Sequence, residues 1–340
     1  MDWLVNGINM KENQHIDIVI AWVDGADPIH KNKRLKFLNK SQEIILPGAD
    51  ETRFHSSNEV EYCVLSILKF ASFVRNIFIV TDNQDPKISA AVQKHFPERL
   101  KSIRLVDHTE IFKGYEQFLP TFNSICISNM LWRIKGLSNQ FVYFNDDIFL
   151  LRKITPSDWF RRGRPVLRGT WSTPPYERIL WDQLKHFFLS FSRSQKEIKL
   201  AASFQLNQWN AANRLGFNFH YFKSGHTPLA MDRNRLETYF FSNPEVLKKN
   251  ISHRFRNYDQ FNTVSLANHL EINSGNTNFE KSQAIYLQPH NRGDKYVEKK
   301  FDLCNSDKSK LFICAQSLDL ANEKDQINVL KSMRAILKLD

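Results

Sequence analysis

The chain predicts an α/β fold, with a mostly parallel sheet flanked by helices and a more helical second half. Two observations predict it. Short apolar runs rich in β-branched residues alternate with stretches of helical periodicity through the first half. Four of those runs are followed at once by an aspartate, and open α/β sheets bind ligands outside the carboxyl ends of their strands.

Ile16–Val23 reads as a buried strand ended by Asp24-Gly25. Asn58 is placed to cap a helix over 59–70, with Glu61 completing a capping box. Ile77–Val80 forms a second strand, ended by Thr81-Asp82-Asn83, and a helix near 86–96 follows. A short strand at Ile103–Val106 ends in Asp107-His108, and residues 124–134 look helical. The strand at 141–144 ends in the pair Asp146-Asp147. Asp24, Asp82, Asp107 and Asp146/Asp147 are thereby expected at one crevice, a turn or cap role being the ordinary alternative for each.

The second half is less regular. Residues 176–206 carry a helical, aromatic-rich pattern: Ile179, Leu180, Trp181, Leu184, Phe187, Phe188 and Phe191, mixed with Lys185, Arg193, Lys196 and Lys199. Core packing is expected there ahead of docking on a membrane or partner. Residues 273–283 read as a loop, and 323–338 as a closing amphipathic helix through Ile327, Leu330, Ile336 and Leu337. The expected organisation is an α/β part over 1–165, a helical insertion over 166–210 and a remainder over 211–340, together one compact unit.

A length of 340 residues supports a substantial core. With 47 Lys and Arg against 36 Asp and Glu, the formal charge is +11. That excess favours anionic partners without choosing among them, and a solvated lysine-rich surface explains it equally well. The basic residues are scattered and no recognition-helix, zinc-finger or RNA-binding signature appears, which argues against nucleic acid. Cys63, Cys126, Cys304 and Cys314 lack CxxC spacing and read as buried free thiols of a reducing compartment, not as a zinc site. Met1 to Gln14 show no secretory pattern, and no run approaches the roughly 18 apolar residues of a spanning helix. The expectation is a cytoplasmic protein, with peripheral membrane contact allowed.

Two clusters carry chemistry. Asp146 and Asp147 sit inside the apolar run Phe141–Leu150. An unpaired buried carboxylate costs several kcal/mol, so the pair needs a partner, and a divalent cation with its preference for hard oxygen ligands suits it. The bland alternative is a polar turn or helix cap. The second cluster comprises His226, between Gly225 and a Thr-Pro turn, and the segment His253-Arg254-Phe255-Arg256 with Asp259. Arginine gives a permanent forked charge and histidine moves a proton near neutral pH, a combination suited to phosphate. A hydrogen-bonded loop histidine and a solvated basic face are the alternatives. Arg254 and Arg256 share a side if the segment is extended.

These segments together resemble the Stealth family of capsular polysaccharide (hexose-1-phosphate) phosphotransferases, relatives of the catalytic part of the lysosomal-enzyme N-acetylglucosamine-1-phosphotransferase. The first block is Ile16–Val19 through Trp22-Val23-Asp24-Gly25-Ala26-Asp27-Pro28. The second runs from Arg53-Phe54 and Asn58-Glu59, through Ile79–Gln84 and Leu119–Ser124, to Phe144–Asp147. The third matches at Gly225–Pro228 and His253–Arg256 with Asp259, and a fourth lies near Phe312-Ile313-Cys314. Two departures stand out. Glu59–Ile67 lacks both arginines usual there, and Ala315-Gln316 replace the usual Asn-Asp after Cys314.

The resemblance implies a GT-A-like nucleotide-sugar domain that transfers a sugar-1-phosphate to a glycan hydroxyl and releases nucleoside monophosphate. It implies Mg²⁺ or Mn²⁺ on Asp146, Asp147 and Asp24. Donor contacts are implied at Trp22, Asp24, Gly25, Asn123 and Asn145, though core packing for Trp22 and helix capping for Asn123 compete. Arg256, with Arg254, is expected to clamp phosphate, and His226, with His253 as runner-up, to take the acceptor proton. The implied partners are a UDP-linked donor, a growing polysaccharide and, at the inner face of the membrane, export machinery. An ordinary glycosyltransferase releasing nucleoside diphosphate and a non-catalytic basic binding protein are the rival readings.

Overall fold

The computed structural model describes residues 15–38, 59–177, 180, 181, 184, 203–293 and 295–339. Four parallel strands build the centre: Ile16–Ala21 (β1), Ile77–Thr81 (β2), Ile103–Asp107 (β3) and Gln140–Asn145 (β4). β1 lies between β4 and β2, β3 extends the sheet beyond β2, and Leu229–Asp232 closes the other edge antiparallel to β4. The fold class is therefore the α/β arrangement that strand–helix alternation predicts.

β1, β2 and β4 are apolar almost throughout because both faces of the sheet are covered. Ile18, Ile20, Ile79, Val142 and Phe144 pack under the helix Glu59–Phe70 (α2). Val19, Phe78, Val80, Phe141 and Tyr143 belong to a second core with Cys126, Trp132, Phe240 and Phe261. Each fully buried side chain of this size contributes about 1.5–3 kcal/mol.

The chain changes sheets straight after β4. Ile148–Leu150 (β5) pairs antiparallel with Phe312–Ala315, which pairs in parallel with Ala284–Leu287. Asp146 and Asp147 form the turn between the two sheets. That turn is pinned by Ala315 N donating to Asp147 O at 2.9 Å, and β5 is tied to α2 by Leu150 N donating to Ser66 Oγ at 3.0 Å.

Several elements differ from expectation in extent. The Asn58 cap lies outside the described residues. The helix expected near 86–96 starts at Ser89, because Asp85 Oδ1 accepts from Lys87 N and Lys87 takes a left-handed φ of 54°. Residues 124–134 split into Ser124–Ser128 (the fifth helix) and a single 3-10 turn at Leu131–Arg133, with Asn129 Nδ2 competing for the Ile125 carbonyl. Two short strands, Leu167–Arg168 and Thr170–Ser172, occupy the start of the segment expected as a helical insertion. The helix Phe204–Arg214 ends that segment, with Ser203 Oγ accepting from Leu206 N. Most of 178–202, including Ile179, Lys185, Phe187, Phe188, Phe191, Arg193, Lys196 and Lys199, lies outside the described residues. Leu180, Trp181 and Leu184 are helical but 48–60% exposed, which corrects the expectation of core packing for them. Within 273–283 a two-residue strand, Phe279–Glu280, pairs with Leu167–Arg168. The closing helix is present at Glu323–Leu337, but Val329, Met333 and Leu337 face inward and Ile327 is exposed.

All four cysteines are buried and free. Among the described residues no helix is long and apolar enough to cross a membrane.

One ion pair anchors the amino ends of the strands. Asp17, fully buried on β1, accepts from Arg75 Nε (2.9 Å) and Nη2 and from the backbone N–H groups of Asn76 (3.1 Å) and Ser138 (2.7 Å). Arg75→Ala leaves that carboxylate with backbone donors alone. Urea denaturation is expected to show a loss of about 3 kcal/mol. The exposed pair of Lys248 with Glu245 supplies the contrast: Lys248→Ala should change stability by under about 0.5 kcal/mol.

Candidate active site

The four parallel strands end on one edge of the sheet, and a cavity of about 840 Å³ opens there, a size suited to a ligand larger than a simple sugar. Trp22 and Val23 enter its wall from the end of β1, and Asn145, Asp146 and Asp147 from the β4–β5 turn. Gly225, His226 and Thr227 come from the loop before Leu229–Asp232, and Arg256 from the segment after Ile251. The acidic pair and the His–Arg pair, separated by some eighty residues or more of chain, thus face one space.

Asp146 and Asp147 are half-buried on the cavity lining. Burial, then the charge of Asp147, then that of Glu59, push the Asp146 carboxyl well above its ordinary value. Burial also raises Asp147, against the opposing influence of His226 and of the Cys314 thiol, which donates to Asp147 Oδ2 at 3.4 Å. Asp147 Oδ1 is buried with no hydrogen-bond partner among the described residues. Burial and these carboxylates likewise hold the Cys63 and Cys314 thiols in the protonated state.

That donor set fits a hard divalent cation. The carboxylates are adjacent, starved of positive charge, and one oxygen is orphaned. Among the described residues no three His, Cys, Asp or Glu side chains form a ready-made cage. The protein therefore offers a two-carboxylate half-site, the way Mg²⁺ is usually held together with substrate phosphates and water. Asp24 does not complete it. Its Oδ1 accepts from Ala26 N at 2.9 Å to close the turn after β1, its backbone is clasped by the Gln84 amide, and it is absent from the cavity wall, as is Gly25.

The His226 ring is fixed between aromatics, stacked on Phe204 at 5.0 Å and tilted against Tyr286 at 5.5 Å. Its loop is anchored just upstream, where Ser224 N donates to Gln208 Oε1 (2.8 Å) and Gln208 Nε2 donates to Ser224 O (3.1 Å). Arg256 Nη2 donates to Ser124 Oγ at 2.7 Å. Arg254 parts from it: Nη1 donates to Pro120 O at 2.6 Å and the guanidinium lies 4.4 Å over the Phe37 ring. The segment is not extended, so the two arginines do not share a side. His253 is half-buried and off the cavity wall, its carbonyl accepting from Asn123 Nδ2 and Cys126 Sγ. Asn123 is buried behind the wall; Oδ1 caps the fifth helix at Ile125 N, and Nδ2 also binds Gln260 Oε1. Trp22 belongs both to the core and to the wall.

Of the aspartates at the four strand ends, only the pair after β4 lines the cavity. Asp82 is bound by Lys33 Nζ at 3.0 and 3.1 Å, and Asp107 caps the helix after β3 by accepting from Thr109 N. Their neighbour His108 lines the cavity instead, with His30. Burial lowers both imidazoles, His108 to about 4, against the opposing pull of Asp82. Sequence reading missed both histidines and Glu59; adjacency to Asp107, and the first helical position after Asn58, were the available signals.

Comparison with known proteins follows this geometry. Residues 14–42 match Stealth protein CR1, conserved region 1, and residues 53–166 match Stealth protein CR2, conserved region 2. A capsular polysaccharide phosphotransferase of Actinobacillus suis is 39% identical over 155 residues, covering 45% of this chain and 40% of that protein. One of Neisseria meningitidis serogroup B is 37% identical over 158 residues, covering 46% and 40%. An exopolysaccharide phosphotransferase of Streptomyces coelicolor is 29% identical over 272 residues, covering 80% of this chain and 41% of that protein. The chain spans about two fifths of the length of these relatives. Among solved structures, the galactosyltransferase LgtC with donor and acceptor sugar analogues overlaps with TM-score 0.41 at 11% identity, covering 93% of this chain and 95% of that one. The bifunctional glycosyltransferase WbbM gives 0.43 at 10%, covering 96% and 53%. Overlaps this loose bear on neither substrate nor mechanism.

Two outcomes follow from the electrostatics. The native carboxyls of the acidic pair protonate above their unfolded value, so their share of stability is present at low pH and is lost as pH rises through the native values. At pH 7.5 without metal, Asp147→Asn is expected to melt higher than wild type, and Mg²⁺ to raise the wild-type melting temperature only. His108 and His269 have the opposite sign: burial lowers each to about 4 from an unfolded 6.5. Their share of stability falls as pH drops from about 6.5 through about 4, and their Hε1 NMR shifts should remain in the neutral position at pH 5.5.

Proposed function

We propose, for a chain that carries conserved regions 1 and 2 of the Stealth proteins, that it transfers a sugar-1-phosphate from a nucleotide-sugar to a hydroxyl of a glycan. The acceptor oxygen attacks the sugar-linked phosphorus, the bond to the bridging diphosphate oxygen breaks, and nucleoside monophosphate leaves. The observation that carries this reading is one cavity lined both by a desolvated carboxylate pair and by a clamped imidazole and a guanidinium. Relatives named as capsular and exopolysaccharide phosphotransferases support it.

Asp146 and Asp147 would hold Mg²⁺ or Mn²⁺, which when bound supplies positive charge to the diphosphate. Arg256 neutralises the group being transferred, and its bond to Ser124 sets the direction of the guanidinium. His226 takes the proton of the acceptor hydroxyl, a role worth roughly 10²–10⁴ in rate. Phe204 and Tyr286 hold the ring plane, so little ordering is left for the reactive moment. Asn145, beside the pair, orients the donor. The lining draws on residues from 1–165 and from 203–340, which supports treating the expected segments as one catalytic unit. A UDP-N-acetylhexosamine donor, a capsular acceptor and peripheral contact with export machinery at the inner membrane face belong to the same reading.

Identifying the released nucleotide tests it. The expected product of a nucleotide-sugar screen with acceptor oligosaccharide is nucleoside monophosphate plus a diester phosphorus resonance; nucleoside diphosphate would assign the chain to ordinary glycosyl transfer. His226→Ala is expected to stay folded and lose at least about a hundredfold in turnover, and chelation by EDTA to abolish it.

A further inference from the structure

We propose that Tyr143 is a catalytic residue of this site, its hydroxyl donating a hydrogen bond to a non-bridging oxygen of the phosphoryl group being transferred. The inference rests on the function proposed above and adds to it a group that the sequence motifs did not mark.

Tyr143 stands two residues before Asn145 on β4, so the pleat turns both to the same face. It is paired with Val19 on one side and Leu229 on the other, and its ring belongs to the second core with Phe141 and Val19. The residue is only 8% exposed, yet it lines the cavity. Its hydroxyl has no hydrogen-bond partner among the described residues. A buried tyrosine normally finds one for its O–H within the protein, whereas this residue presents its side chain to the cavity. A core strand position that would suit phenylalanine thus carries a hydroxyl that opens to the cavity, available to whatever occupies it.

The charges around it say which part of a ligand. Asp146, Asp147 and Arg256 all act on the phenol, and all line the same cavity. A diphosphate held by the acidic pair's cation and Arg256 would bring phosphoryl oxygens into the cavity that the phenol lines. Burial and the two carboxylates raise the phenol further above its ordinary range, so it acts as a donor and not as a base. Such a donor gains strength as charge builds on the oxygen, and removing a comparable oxyanion donor costs about 10²–10³ in kcat.

Tyr143→Phe keeps the ring and deletes the hydroxyl. The expected result is kcat lower by about a hundredfold, KM for the nucleotide-sugar within about threefold, and an unchanged urea midpoint. A second readout needs no turnover: calorimetric affinity for nucleoside monophosphate plus orthovanadate should fall at least about tenfold in the variant, while affinity for the nucleotide-sugar is nearly kept. Wild-type kcat in the variant, or a loss confined to KM, overturns the role while leaving the proposed function intact, provided His226→Ala is impaired in the same series. A wild-type protein that releases no nucleoside monophosphate overturns both.

Discussion

Two neighbouring carboxylates are held at a place where the chain leaves one sheet and enters another, and the rest of the site is arranged around that fact. β4 must run deep into the core to carry Phe141, Val142 and Phe144, and β5 must pair at once with Phe312–Ala315. The two-residue turn between them leaves both carboxylates half-buried against the cavity. Asp146 and Asp147 are consequently desolvated, close to one another and to Glu59, with one oxygen unmatched. Such an arrangement opposes folding. It persists because the two sheets and α2 over-determine the turn, and it gives the cavity a strong affinity for positive charge.

The His226–Arg256 part of the lining is built by a different physical route. His226 and Arg256 are not placed by strands but by side-chain hydrogen bonds and ring contacts. Gln208 holds Ser224 by two bonds, Phe204 and Tyr286 bracket the imidazole, and Ser124 receives the guanidinium. Asn123, Gln260 and Asn250 weave the loop around 253–260 into the end of the fifth helix, with Gln260 Nε2 donating to Asn250 O at 2.7 Å. The wall is thus stiff without being regular, which suits a group that must meet a phosphoryl centre in line. Tyr143 lines the same cavity, its ring anchored in the second core and its hydroxyl within the field of Arg256.

How much of this was legible varies with the range of the interactions involved. The strand after Gln140 and its terminal Asp-Asp were readable because burial leaves a run of apolar letters, and an interruption by two charges is conspicuous. Asp82 and Asp107 carried the same local signature, yet Lys33 and a helix cap absorb them. Arg254 and Arg256 looked equivalent by spacing; the turn that separates them is set by Phe122 N donating to Arg254 O, a bond across more than a hundred residues. His108 was invisible as a wall residue because nothing next to it in sequence states that the end of β3 borders the same cavity as the ends of β1 and β4.

The sequence alone determined the alternation of strands and helices, the parallel centre of the sheet and the chemical kind of group at each strand end, since these depend on neighbours within a few residues. Tertiary structure decided which of those groups share the cavity. The acidic pair meets His226 and Arg256 because the edge strand Leu229–Asp232 lies against β4 and Phe312–Ala315 lies against β5. Those pairings join residues some ninety to one hundred and seventy positions apart, and their register is set by packing of whole faces, which no local pattern encodes.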